Sequence, residues 1–154
     1  MSATATPPPF PLPSDQPNPA AAMRQIDTLV LVADIGRTKA FYTGHFGLEL
    51  LHDWESMIVF KNRLSFHQAD RLFPQEQLRA AIPARLGAGN LVIYLESADI
   101  EETFRALSAR GVTIVHGLVA TPWGGGRIFR VQDPDGHLVE IGEAAPAPLP
   151  ASGP

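Results

Sequence analysis

Cysteine is absent from this chain of 154 residues. That excludes a disulfide framework, a thiolate metal site and a cysteine nucleophile. No apolar run is long enough to span a bilayer, and the N-terminal stretch has neither the basic lead nor the apolar core of a signal peptide. Clustered positive charge is missing too: 12 Lys and Arg stand against 16 Asp and Glu, for a formal net charge of −4. Nucleic acid is therefore not expected as a partner, because a phosphate backbone is held by a concentrated basic surface. A cytoplasmic protein without membrane association is the expectation.

Proline is plentiful at 15 residues, but it is unevenly placed. Residues 1–22, "MSATATPPPFPLPSDQPNPAAA", and residues 144–154, "AAPAPLPASGP", hold most of it. Such Pro/Ala/Ser stretches bury too little apolar surface to offset the entropy of ordering, so both are expected to be disordered tails. Between them, residues 23–143 are enough for one domain with its own core.

Within that domain one unit occurs twice. "DTLVLVADIGRTKAFYTGHFGLELL" (27–51) and "VIYLESADIEETFRALSARGVTIV" (92–115) each read as an apolar strand, an Asp-Ile, an amphipathic helix, a Gly and a further strand. Asp34 and Asp99 suit helix N-caps, and Glu102, three residues after Asp99, suggests a capping-box pair. Gly47 and Gly111 suit the left-handed position that ends a helix. Each unit continues into two more strands. In the first, "SMIVF" and "RLSFHQ" flank Lys61-Asn62; in the second, "GRIFRVQ" and "HLVEIGE" flank Asp133-Pro134-Asp135-Gly136. The pattern is βαβββ twice, an α+β fold with repeat one at 25–69, repeat two at 90–143, and a linker at 70–89. In that linker "PQEQLRAAIPARL" suggests a short helix broken at Pro83.

A βαβββ duplication with "VADIGRTKAFYTGHFGLEL" near its start and "PWGGGRIFRVQDPDGHLVEIGE" near its end resembles the vicinal oxygen chelate superfamily. That superfamily includes glyoxalase I, the extradiol dioxygenases, the fosfomycin-modifying enzymes, methylmalonyl-CoA epimerase and the bleomycin-resistance proteins. The resemblance implies two curled mixed half-sheets enclosing a cleft for a small molecule, in a homodimer. It also implies a divalent metal (Fe, Mn, Zn or Ni) that chelates substrate oxygens and acts as a Lewis acid or activates dioxygen. No organic cofactor is indicated.

Strand alternation then assigns side chains to the cleft. Glu140, between Val139 and Ile141, points away from the core, at the position where the family carries a metal ligand. Asp27, seven residues before Asp34, sits where the family has its first-strand ligand, and Val92 is its counterpart in repeat two. On the fourth strand Ser65 best matches the remaining ligand position, while His67 lies on the same face. The candidate metal set is Asp27, His67 and Glu140. Tyr94, Asn90, Trp123, Trp54 and Ser65 are candidate substrate contacts, and Glu140 or Glu96 is the candidate base. Two functional readings stand: a metal-dependent lyase, isomerase or dioxygenase, and a metal-independent drug- or metabolite-binding protein in which an Asp27/Glu140 pair favours a cation.

Other positions are left with milder expectations. His45 is expected at the surface beside the C-terminus of the first helix. His137 is expected to flank its turn, and His52 and His116 are undecided. Arg127 and Arg130 point to opposite faces of their strand, so one at most faces the cleft. Trp123 and the three glycines after it read either as a lid with an aromatic platform or as a hairpin whose Trp covers the end of the fold, with the second reading preferred.

Overall fold

The computed structural model describes residues 26–78, 82 and 84–145. Residues 1–22 and most of 144–154, the expected tails, lie outside the described residues. The fold is the expected duplication. Repeat one comprises β1 (Thr28–Val32), α1 (Ile35–Phe46), β2 (Leu50–Asp53), β3 (Met57–Phe60) and β4 (Leu64–Gln68). After a 3-10 turn at Ala69–Arg71 and a short α2 (Gln75–Leu78), repeat two follows with β5 (Val92–Ser97), α3 (Ile100–Ala109), β6 (Thr113–Ala120), β7 (Arg127–Gln132) and β8 (Leu138–Glu143). Each repeat makes a four-stranded mixed sheet, in the orders β1-β4-β3-β2 and β5-β8-β7-β6, with the first pair of each parallel. The linker helix is described over Gln75–Leu78, within "PQEQLRAAIPARL"; residues 79–81 and Pro83 lie outside the described residues.

Helix boundaries follow the caps. The Asp34 carboxylate accepts from Arg37 N at 2.8 Å and that of Asp99 from Glu102 N at 3.0 Å, each satisfying an amide that the first helical turn leaves unpaired. The reciprocal half of a capping box does not form at Asp99. The Ser97 hydroxyl takes the Asp99 N–H at 3.1 Å, and the Glu102 carboxylate turns outward to pair with Arg105. Gly47 ends α1 with φ 62° and Gly111 follows α3 with φ 73°, the left-handed conformation expected of both. His45 does not serve the end of α1: its Nδ1 is buried without a partner, and its ring packs on Phe41 at 5.0 Å. The helix-end carbonyl of Gly44 is bonded instead by Arg110 from α3, at 2.6 Å.

Alternation on the strands sends one set of side chains to the helices. Val30, Val32, Ile58, Phe60 and Phe66 close on Tyr42 of α1, and Ile93, Phe129, Val131, Val139 and Ile141 close on Ile100 and Leu107 of α3; all belong to one continuous buried cluster. The Tyr42 and Phe66 rings lie 4.7 Å apart, and Phe104 meets Phe129 edge-on at 5.2 Å. Burying each such ring contributes about 1.5–3 kcal/mol, so this shared core fixes the helical sides of both sheets.

The repeats are also clasped by the β7–β8 turn. Gly136 N bonds Asp133 O at 3.0 Å, closing Asp133–Gly136 as a β-turn. From it Asp133 accepts the Tyr42 hydroxyl at 3.0 Å, and Asp135 accepts Ala33 N at 3.0 Å, with Arg37 Nη2 at 3.5 Å. His137, expected merely to flank the turn, is buried and holds Asp133 through Nδ1 at 3.0 Å. Linker residue Gly87 has φ 65° and lies so close to the Asp135–Gly136 backbone that a Cβ there would collide with it. The turn thus joins α1, the linker and β8, the strand that carries Glu140.

Candidate functional site

The faces turned away from the helices carry the candidate site residues. Register shows that the two faces are built on one plan. On repeat two, Tyr94 pairs with Glu140, Glu140 with Arg130 and Arg130 with His116, one transverse row across β5, β8, β7 and β6. On repeat one, Leu29 pairs with Ser65, Ser65 with Val59 and Val59 with His52 across β1, β4, β3 and β2. Leu29 and Tyr94 each stand five residues before their cap Asp, so Ser65 is the positional equivalent of Glu140, and His67 is that of Gly142. The same plan therefore produces a largely apolar row on one sheet and an ionisable row on the other.

From Glu140 to His116 the ionisable row is linked side chain to side chain. Arg130 pairs with Glu140, whose side chain is 17% exposed. The other end of the guanidinium lies 3.1 Å from His116 Nε2, and His116 Nδ1 lies 2.8 Å from Gly117 O. A carbonyl can only accept, so Nδ1 carries the proton and Nε2 accepts from Arg130. At the other end of the row, the Tyr94 hydroxyl donates to Glu96 at 3.1 Å. Its ring lies over Gly142, where any Cβ would strike it. Partial desolvation, then the Glu96 hydrogen bond and the Glu96 and Glu140 charges, raise the Tyr94 phenol above its ordinary value. Arg130 faces this side and Arg127 the other, where it bridges Glu101 at 2.7 Å and Glu143 at 2.8 Å. Sequence parity separated the two arginines; only the register of β6, broken by bulges between Ile114 and Val119, places His116 next to Arg130.

The remaining candidates scatter. Asp27 lies just before β1, with Oδ1 buried, unbonded and 3.9 Å from Arg63. Ser65 is fully buried and its Oγ has no partner. His67 bonds Gln68 O through Nδ1 at 2.9 Å. Asn90 precedes β5, in a groove shared with Leu29, Leu31, Leu91 and His137. Trp54 stacks on His52 at 4.7 Å, at the far edge of the first sheet. Trp123 is 74% exposed, so it does not cover the end of the fold. Its loop is stitched by Thr121, which accepts Gly125 N at 2.9 Å and donates to Gly126 O at 3.0 Å.

Asp27 and His67 belong to the first repeat and Glu140 to the second. Among the described residues of one chain, these three do not form a group whose ligand atoms lie within 4.8 Å of one another. Nor does the donor set suit a divalent ion: Val92 offers an alkyl group, Ser65 a neutral hydroxyl, and the Glu140 carboxylate is already matched to a guanidinium. One group among the described residues does have metal-like spacing, Asp133, Asp135 and His137, with ligand atoms all within 4.8 Å. Sequence reading missed it as a cluster, although the Asp-x-Asp-x-His spacing was legible. Its atoms are largely spent on the clasp: Asp133 Oδ1 accepts Asp135 N at 3.0 Å and His137 N at 2.9 Å, Oδ2 takes Tyr42, and His137 Nδ1 holds Asp133, while Asp135 Oδ2 is buried without a partner. No helix among the described residues is long and apolar enough to cross a membrane.

Comparison with known proteins agrees with this architecture. No curated protein sequence matches the chain. A crystal structure of a protein of unknown function from Agrobacterium tumefaciens is 31% identical, with a TM-score of 0.65 over 80% of this chain and 96% of that one. Lactoylglutathione lyase from the same organism is 23% identical, with a TM-score of 0.61 over 79% and 93% of the two chains. The fosfomycin resistance protein FosX from Listeria monocytogenes is 20% identical, with a TM-score of 0.56 over 80% and 94%. At those identities the last two speak for the fold alone. The family model that matches spans residues 24–141, nearly the whole duplicated domain. The chain belongs to the Glyoxalase/Bleomycin resistance protein/Dioxygenase superfamily.

Proposed function

We propose that this protein binds a small organic molecule without a metal, in a cleft that two copies of the chain complete together. The observation that carries the reading is the Arg130–Glu140 pair. A carboxylate that ligates a divalent ion must present its charge to that ion, and here an internal cation already has it. Val92 and Ser65, at two further ligand positions of the fold, point the same way. The ion pair also removes the reason to expect a cationic ligand at Glu140. Exposed Leu29, Val92 and Tyr94, on the faces away from the helices, support a homodimeric arrangement in which one copy covers the other. Tyr94 then supplies an aromatic wall and Glu96 holds its hydroxyl.

A second reading keeps the metal. The unbonded, buried Oδ1 of Asp27 favours it, since Asp27 and His67 of one copy would meet Glu140 of another across a dimer cleft. Elemental analysis of the purified, untagged protein separates the two, run beside a thermal shift with EDTA and with added Fe(II), Mn(II), Zn(II) and Ni(II). The proposed reading expects far less than one metal per chain and no stabilisation by any of the four ions. Near-stoichiometric metal that disappears in both Asp27→Ala and Glu140→Ala would overturn it and establish the second.

A further inference from the structure

We infer that Arg130 is a resident cation standing where this fold places a metal, and that it selects a ligand bearing a hydrogen-bond-accepting oxygen on a flat apolar body. The inference rests on the metal-independent reading above and adds the chemistry of the ligand. Arg130 is held from both ends, by the Glu140 carboxylate and by the His116 Nε2 lone pair. Those two contacts use two of the five N–H donors of a guanidinium, and the side chain keeps 34% of its surface exposed. Three donors are therefore free to meet a carbonyl or carboxylate oxygen, from a group already oriented and partly dehydrated.

The charges of the row also bear on the choice. An Nε2 that accepts carries no proton, so His116, Arg130 and Glu140 together sum to zero, while the Glu96 charge stands at the Tyr94 end, beside the hydroxyl that donates to it. A ligand cation gains nothing from Glu140, whereas a ligand oxygen gains a charge-assisted hydrogen bond. Tyr94, in the same row on the other side of Glu140 and 53% exposed, lies two strands from Arg130, about 10 Å at the backbone. That separation, spanned by long side chains from either end, suits a single ring with an attached oxygen group. Exposed Val92 next to Tyr94 extends the apolar floor.

His116 acts here as a positioning residue, through Arg130 and not by touching the ligand. It distinguishes a built site from an arginine lying loosely on a sheet. The Nδ1–H bond to Gly117 O fixes the tautomer that leaves Nε2 free to accept. Only a side chain with an acceptor at that place can keep the guanidinium aimed.

The test uses the full chain and two probes of similar size, benzoate and benzylamine. Binding is followed by the side-chain Nε–H resonance of Arg130 and by titration of backbone amides on β5, β7 and β8. Benzoate is expected to shift Arg130 and Tyr94 saturably, and benzylamine to leave both unmoved. Arg130→Met should weaken benzoate about tenfold. Arg130→Lys, which keeps the charge and the fold, should recover only part of that loss because it lacks the fork. His116→Ala should weaken benzoate about threefold, and His116→Gln, whose amide oxygen can accept from Arg130, should restore it. Benzoate binding that is indifferent to Arg130→Met and Arg130→Lys, no saturable binding of benzoate at all, or preferential binding of benzylamine would each overturn the inference. Metal content is measured separately, so a metal-bearing protein refutes the reading beneath it while a failed titration of a metal-free protein refutes the inference alone.

Discussion

Replacing Tyr42 by Phe removes one oxygen from α1 and leaves its packing in place. The ring sits in the core 4.7 Å from Phe66, and its hydroxyl donates at 3.0 Å to Asp133, whose side chain is wholly buried. This is one of the bonds by which the β7–β8 turn grips the first repeat. A hydrogen bond to a charged, buried acceptor contributes about 1.5–3 kcal/mol, at the upper end when the loss leaves the acceptor short of a donor. Asp133 keeps two backbone donors and His137, so the expected cost is near the lower figure, about 2 kcal/mol. For a domain of this size that lowers the melting temperature by roughly 5–10 °C. Urea unfolding of Tyr42→Phe, Asp133→Asn and the double variant measures it. The double variant should be less destabilised than the sum of the singles by about 1 kcal/mol, because both remove the same bond. A loss under about 0.5 kcal/mol for Tyr42→Phe, with additive singles, would refute the clasp as a stabilising contact between repeats.

The clasp should also make stability depend on pH. Its hydrogen bond to Asp133 raises His137, against burial; for Asp133 burial pushes upward, but the His137 and Tyr42 hydrogen bonds prevail and lower it. The His137 contribution is complete below its ordinary value of 6.5 and fades as pH rises through the raised folded value; the Asp133 contribution is complete above 3.8 and fades as pH falls through the lowered one. Unfolding free energy should therefore decline above neutral pH in the native protein, and this slope should flatten in His137→Asn; an unchanged slope would count against the pair. Gly142→Ala, at a backbone conformation open to any residue, should push the Tyr94 ring off the sheet and away from Glu96. With Tyr42 driven far above its ordinary range by burial, then by the Asp133 charge and hydrogen bond, the phenolate absorbance reports Tyr94 alone. Its titration midpoint should fall toward 10 in the variant, and no change would mean that the ring does not rest on Gly142.

The linear chain carried the fold because its signals are local and repeated. Capping aspartates, left-handed glycines and strand alternation act within a few residues, so Asp34, Gly47, Asp99, Gly111 and the inward faces of β1 and β8 could be read directly. Alternation also placed Glu140 and Tyr94 on one face and separated Arg127 from Arg130. The reading weakened wherever a partner comes from far along the chain. Nothing within α1 tells that Arg110, 66 residues from Gly44, and not His45 bonds a carbonyl at its end, and near neighbours compete too, as where Ser97 takes the Asp99 N–H and Glu102 pairs with Arg105. Bulges in β6 decide that His116 reaches Arg130, and a bulge cannot be counted from residue types alone. Trp123 and its glycines suggested a lid or a cover, but Thr121 stitches the loop and leaves the ring in the open.

By itself, then, the sequence determined two βαβββ units, their core faces and the carboxylate of the last strand, since each follows from periodicity and from backbone preferences of single residues. Tertiary structure alone decided what that carboxylate does. Register across four strands brought Tyr94, Glu140, Arg130 and His116 into one row, and the same register on the other repeat gave Leu29, Ser65, Val59 and His52. The charge on Glu140 is matched by a residue ten positions earlier in sequence but directly opposite in space. Electrostatic pairing depends on that distance in space, and a chain written in one dimension does not contain it.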